Sequence, residues 1–203
     1  MPRLSLKALP AKPLAIAAAV AALGAMLGVL YVIFSGPVQP LERVPETLAR
    51  LAPEKQPKPE PAVAFVDGNG KRHMLSQFRG RYVLVNLWAT WCQPCVRELP
   101  ALATLQAAIS GKRLKVLAIN VGRSDAKATA AFLKAHGASS LGVWRDPDVA
   151  MMRAFNAYGL PASVLIDPQG REVARAMGPA HWGSPSSIAY FESLPMPAAK
   201  PAS

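Results

Sequence analysis

Only two cysteines occur in the 203 residues, and both fall in one pentapeptide, Trp91-Cys92-Gln93-Pro94-Cys95. A disulfide framework is thereby excluded, which leaves a redox pair, half of a metal site or coincidence. The flanks narrow the choice. Arg81 to Leu87 contains a nearly continuous apolar run, the composition of a strand covered on both faces. Beyond the cysteines, Val96, Leu99, Leu102, Leu105 and Ile109 recur every three or four residues, the spacing of an amphipathic helix that stops near Gly111. Both cysteines therefore sit where a strand passes through a short loop into a helix.

Two thiols three positions apart at a helix start can close a small disulfide and reopen it without moving the fold. Cys92 lies where unpaired amides and the positive end of the helix dipole favour a thiolate, so it is expected to meet partners. Cys95, one turn in, is expected to be more buried and to resolve the mixed disulfide. Such a cycle needs no metal and no organic cofactor, because the redox group is the Cys92–Cys95 disulfide itself.

The remaining punctuation predicts an α/β domain with a mixed central sheet flanked by helices. Ala62 to Val66 and His73 to Leu75 read as two short strands around Asp67-Gly68-Asn69-Gly70. Leu114 to Val121 is a second buried strand, and Ser124-Asp125 can cap a helix running to His136. Asp146-Pro147 opens a helix carrying Val149, Met152 and Phe155 and closed at Gly159. Ala162 to Ile166 and Glu172 to Met177 form a hairpin about Asp167-Pro168-Gln169-Gly170, and a last helix lies between Ser187 and Leu194.

Ahead of this domain, Leu14 to Phe34 runs without a charged residue for long enough to cross a hydrocarbon core of roughly 30 Å. Residues 1–13, with Arg3, Lys7 and Lys12, read as a cytoplasmic arm, 14–34 as a transmembrane anchor and 35–60 as a proline-rich, semi-stiff spacer. Within that spacer Pro45 to Leu51 allows a helical turn or two. The folded domain is expected over 61–194 and a disordered tail over 195–203. A cleaved signal peptide is the competing reading, but the apolar run exceeds an ordinary h-region and no A-x-A site follows it. The expected location is the inner membrane, single-pass, with the C-terminal domain in the periplasm.

The formal charge of +11 is spread along the chain, and 61–194 carries 15 Lys and Arg against 8 Asp and Glu. No cationic run interleaved with aromatics tracks phosphates, so nucleic acid is not an expected partner. His73, His136 and His181 are scattered and read as surface or satisfied structure, and no zinc or obligate copper site is expected.

Asn86-Leu87-Trp88-Ala89-Thr90-Trp91-Cys92-Gln93-Pro94-Cys95, followed by Arg97-Glu98-Leu99-Pro100, resembles the TlpA/ResA branch of the thioredoxin superfamily. Gly159-Leu160-Pro161 is similar to that family's cis-proline loop, and Gly178-Pro179-Ala180-His181-Trp182 is TlpA-like. The resemblance covers roughly Pro61 to Leu194 and suits a membrane-anchored protein. It implies a thioredoxin fold, a central insertion around Ser124 to Gly137, reducing activity outside the cytoplasm, and a cis Pro161 beside the disulfide. Leu160 would offer backbone hydrogen bonds to a bound peptide. Two departures stand out: Asn86 occupies the place of thioredoxin's buried acid, and Ala162 follows the proline where relatives often carry Thr.

Around the cysteines, Trp91 is expected to form an apolar rim and docking surface, and Gln93 to tune Cys92. Glu98 is either a proton relay for Cys95 or an exposed charge favourable to the helix dipole. The expected function is a monomeric reductase of protein disulfides. By resemblance its partners are apocytochrome c or copper-delivery and oxidase assembly proteins, recharged by a membrane electron donor of DsbD/CcdA type. The alternative is a Cu(I)-binding metallochaperone using the same two sulfurs. Peroxidase chemistry at Cys92 is disfavoured by a resolving thiol so close in sequence, and Gln93-Pro94 alone does not set the redox direction.

Overall fold

The computed structural model describes residues 21–22, 24–26 and 43–196. Its eight strands are β1 (Ala52–Pro59), β2 (Ala64–Asp67), β3 (Arg72–Met74), β4 (Tyr82–Trp88), β5 (Leu114–Asn120), β6 (Trp144–Arg145), β7 (Ala162–Ile166) and β8 (Arg171–Met177). The helices are α1 (Gln93–Ala108), α2 (Ala126–Ala135), α3 (Ala150–Ala154) and α4 (Pro185–Ser193). The strands form one sheet in the order β1-β8-β7-β4-β5-β6-β2-β3. β5 runs parallel to both β4 and β6, and the other pairings are antiparallel.

Every residue of β4 is buried, because the central strand is covered on both faces. Its alternation deals Tyr82, Leu84 and Trp88 to one core with Leu99, Leu102, Trp182 and Phe191. Val83, Val85 and Leu87 go to the other, with Met151 and Phe155. The expected mixed α/β sheet is thus present, and it is built around the strand that leads to the cysteines.

Three expectations are corrected. The proline-rich stretch read as spacer contributes β1, which pairs antiparallel with β8 from Ala52 opposite Arg175 to Pro59 opposite Arg171. Before it, Glu46–Leu48 forms a 3-10 turn that buries Leu48, and Leu51 is buried as well. The apolar pair Leu48 and Leu51, overlooked amid prolines and charges, pins this segment to the domain. The helix expected from Asp146-Pro147 to Gly159 is only Ala150–Ala154, since left-handed residues flank it on both sides, Val149 at φ 56° and Asn156 at φ 50°. Met151, not Met152, is its buried methionine. At the other end, Pro195 is held rather than loose, its carbonyl accepting the Tyr82 hydroxyl at 3.1 Å.

The anchor expected over 14–34 falls largely outside the described residues, as do the arm over 1–13 and positions 197–203. Among the described residues no helix is long and apolar enough to cross a membrane.

Candidate active site

β4 and β7 run antiparallel with Leu87 opposite Ala162, so the end of one strand lies beside the start of the other. The loop leaving β4 carries Cys92, and the loop entering β7 carries Leu160 and Pro161. Sheet register alone brings these sequence-distant segments to one end of the domain. The Leu160–Pro161 peptide bond is cis.

Cys92 and Cys95 are joined in a disulfide. Cys92 is the N-cap of α1, in an extended backbone conformation, and its Sγ accepts the Cys95 amide at 3.3 Å. A sulfur in that position receives one of the amides that a helix start leaves unpaired, which favours negative charge on it. Both cysteines are buried, Cys92 at 5% exposure and Cys95 at 1%, so the first is the less buried residue of the pair. Pro94 suits the first turn of the helix, where its missing N–H has no partner to lose. Gln93 is exposed, Pro94 and Leu160 are partly buried, and Pro161 is buried.

Trp91 is 72% exposed, whereas Trp88 is wholly buried. The Trp91 indole is thus held in water next to Cys92 in the chain. Tyr158, 87% exposed and three residues before the cis proline, shares this end of the sheet and was not singled out from the sequence. An aromatic directly before Gly159-Leu160-Pro161 was the available signal.

Glu98 is not an exposed charge. Its side chain is buried, at 4% exposure, one helical turn beyond Cys95. Oε1 accepts the Ala180 amide at 2.7 Å and the Trp182 indole N–H at 2.6 Å. Burial pushes the carboxyl up to about 7, and the two hydrogen bonds offset part of that rise. The loop bearing Ala180 and Trp182 can lie close to α1 because residue 183 is glycine. A Cβ there would stand 3.0 Å from the Ala101 carbonyl oxygen. The sequence contained this loop as Gly178 to Trp182 but gave no sign that it would close over Glu98.

Asn86 lies on β4 opposite Ser163 and donates to its hydroxyl at 2.9 Å, so the two form a neutral buried hydrogen bond. His73 bonds to Asp67 and Gln77, and His136 to the Phe132 carbonyl, as satisfied structure. Among the described residues no group of three or more His, Cys, Asp or Glu side chains could hold a metal ion.

A family model described as AhpC/TSA family matches residues 52–175, from the start of β1 to β8. The chain belongs to the AhpC/TSA family. Within the family it is similar to the thiol-disulfide oxidoreductase ResA of Bacillus subtilis, at 35% identity over 118 residues, or 58% of this chain and 65% of that one. ResA of Geobacillus kaustophilus is 32% identical over 110 residues, covering 54% of this chain and 62% of that protein. The chain thus spans just under two-thirds of the length of these curated relatives.

Among solved structures, a Chlorobium tepidum protein assigned as the thiol:disulfide interchange protein DsbE superposes with a TM-score of 0.57 at 27% identity. It covers 68% of this chain and 93% of that one. The thioredoxin domain of a Bacteroides vulgatus thiol-disulfide oxidoreductase gives 0.54 at 21% identity, covering 66% and 94%. The fold of this family member is thioredoxin-like.

Proposed function

We propose that the chain is a thiol:disulfide oxidoreductase that acts as a reductase of protein disulfides. The observation that carries this reading is the Cys92–Cys95 disulfide at the start of α1, with the less buried cysteine, Cys92, capping the helix. In the reduced form the Cys92 thiolate attacks a disulfide of the partner, forming a mixed disulfide and releasing one partner sulfur as a thiolate. Cys95 then loses its proton and attacks Cys92 Sγ, which releases the second partner sulfur and closes Cys92–Cys95. Two electrons pass from the protein to the partner, and the partner thiolates take up two protons. In this reading Glu98, one helical turn beyond Cys95, receives the Cys95 proton, and its carboxyl, pushed up to about 7 by burial, supports the role because it can both accept and return a proton near neutrality.

The TlpA/ResA resemblance carried by Trp91-Cys92-Gln93-Pro94-Cys95 and Gly159-Leu160-Pro161 suggests oxidised cysteines of apocytochrome c or of copper-site assembly proteins as the substrates, met outside the cytoplasm. The uncharged stretch 14–34 with its basic leader supports an inner-membrane anchor and a periplasmic domain, recharged by a donor of DsbD/CcdA type. Insulin reduction by the wild-type chain against Cys92→Ser tests the chemistry, and equal rates would reject it. The copper alternative is tested by Cu(I) titration of the reduced chain against a competing chelator, where tight one-to-one binding would favour it.

A further inference from the structure

The two oxygens of Glu98 are treated differently. Oε1 holds two donors, the Ala180 amide and the Trp182 indole, both shorter than an average N–H···O bond. Oε2 is buried and has no hydrogen-bond partner among the described residues. A buried acceptor left open is costly unless something visits it. Glu98 also lines a cleft, shared with Pro94, Arg97, Pro179 and His181, at the N-terminal end of α1.

Trp182 itself is fully buried in the core around Phe191, so its ring cannot swing to follow the carboxyl. Its loop is fastened at a second point, where the His181 amide donates to the Thr47 carbonyl at 3.1 Å. The indole N–H is therefore a fixed donor to Glu98.

We propose that Trp182 is a positioning residue for the thiol chemistry: its N–H clamps Oε1 so that Oε2 is reserved for exchanging the Cys95 proton with solvent through the cleft. This deepens the reading of Glu98 as proton carrier and rests on it. The titratable and charged groups that share the cleft with Glu98 are Arg97 from α1 and His181 from the clamping loop, and Cys95 stands one helical turn earlier on α1. In the oxidised protein Cys95 bears no proton, so Glu98 can be titrated there without interference from the thiols.

The test is a carboxyl-13C NMR titration of Glu98 in the oxidised full chain, for wild type and Trp182→Phe. It is paired with the pH profile of peptide-dithiol release when reduced protein meets a synthetic disulfide peptide in a single turnover. Benzothienylalanine at position 182, which keeps the indole shape without the N–H, serves where phenylalanine disturbs the core. Loss of the donor should raise the Glu98 midpoint by roughly one pH unit, about the worth of one hydrogen bond to a charged group. The release profile should move by the same amount. A Glu98 midpoint unmoved by either variant overturns the proposal, as does a shifted midpoint with an unshifted release profile. If instead Cys92→Ser releases peptide dithiol as fast as wild type, the oxidoreductase reading itself fails.

Discussion

The side-chain amide of Asn86 donates to the Ser163 hydroxyl at 2.9 Å, across the register that sets the end of β4 against the start of β7. Both side chains are buried, so each is the other's means of leaving water. Asn86→Ala strands the Ser163 hydroxyl and should cost about 1–3 kcal/mol. Urea unfolding of the oxidised chain measures it, and a loss near zero would show that the pair is not needed.

Leu48 and Leu51 should matter as much as any residue of the central sheet. Both are buried in the core that holds Trp88 and Trp182. Leu48→Ala is expected to destabilise by about 2–5 kcal/mol, the range for emptying a packed leucine site. A chain starting at residue 61, which lacks both, should unfold at much lower temperature in a calorimeter.

Glu98 predicts a pH dependence of stability with a definite sign. Its carboxyl is raised from 4.5 to about 7 in the folded protein, so the native state binds the proton more tightly than the unfolded chain. That contribution is full below about pH 4.5 and is lost as pH rises through about 7, worth at most about 3 kcal/mol. Subtracting the Glu98→Gln stability curve from the wild-type curve should leave a difference that falls between these values. A flat difference would contradict it.

Cys95→Ser should halt the cycle at the mixed disulfide, so that Cys92 stays bound to its partner. Non-reducing electrophoresis after incubation with insulin should show that adduct, and Cys92→Ser should show none.

Trp91 and Tyr158 are expected to act on partners rather than on the sulfurs. Trp91→Ala or Tyr158→Ser should raise KM for a protein disulfide several-fold while reaction with hydroxyethyl disulfide is unchanged. Steady-state rates with the two substrates separate these effects.

The strands and helices nearest the cysteines were legible because their signals are local. An apolar run gives β4, a repeat of leucines gives α1, and the Cys92 spacing places both sulfurs at their junction. What escaped was carried by long-range contact. Pro53, Pro57 and Pro59 read as spacer because intrinsic preference argues against a strand, yet pairing with β8 and the burial of Leu48 and Leu51 override it. The state of Glu98 was undecidable from its own helix, since the residues that bury and clamp it lie more than 80 positions later. The short α3 was overextended because its limits are set by left-handed backbone at Val149 and Asn156, which the apolar spacing across them does not register.

The outermost strands have a further consequence. At one margin β1 offers three prolines in eight residues and a break in register between Pro53 and Lys58. At the other, β3 is three residues long and begins with Arg72. Neither margin gives a neighbouring chain an unbroken row of amides to zip onto. Both margins are thus closed to the strand-on-strand pairing through which an open sheet would recruit a second chain.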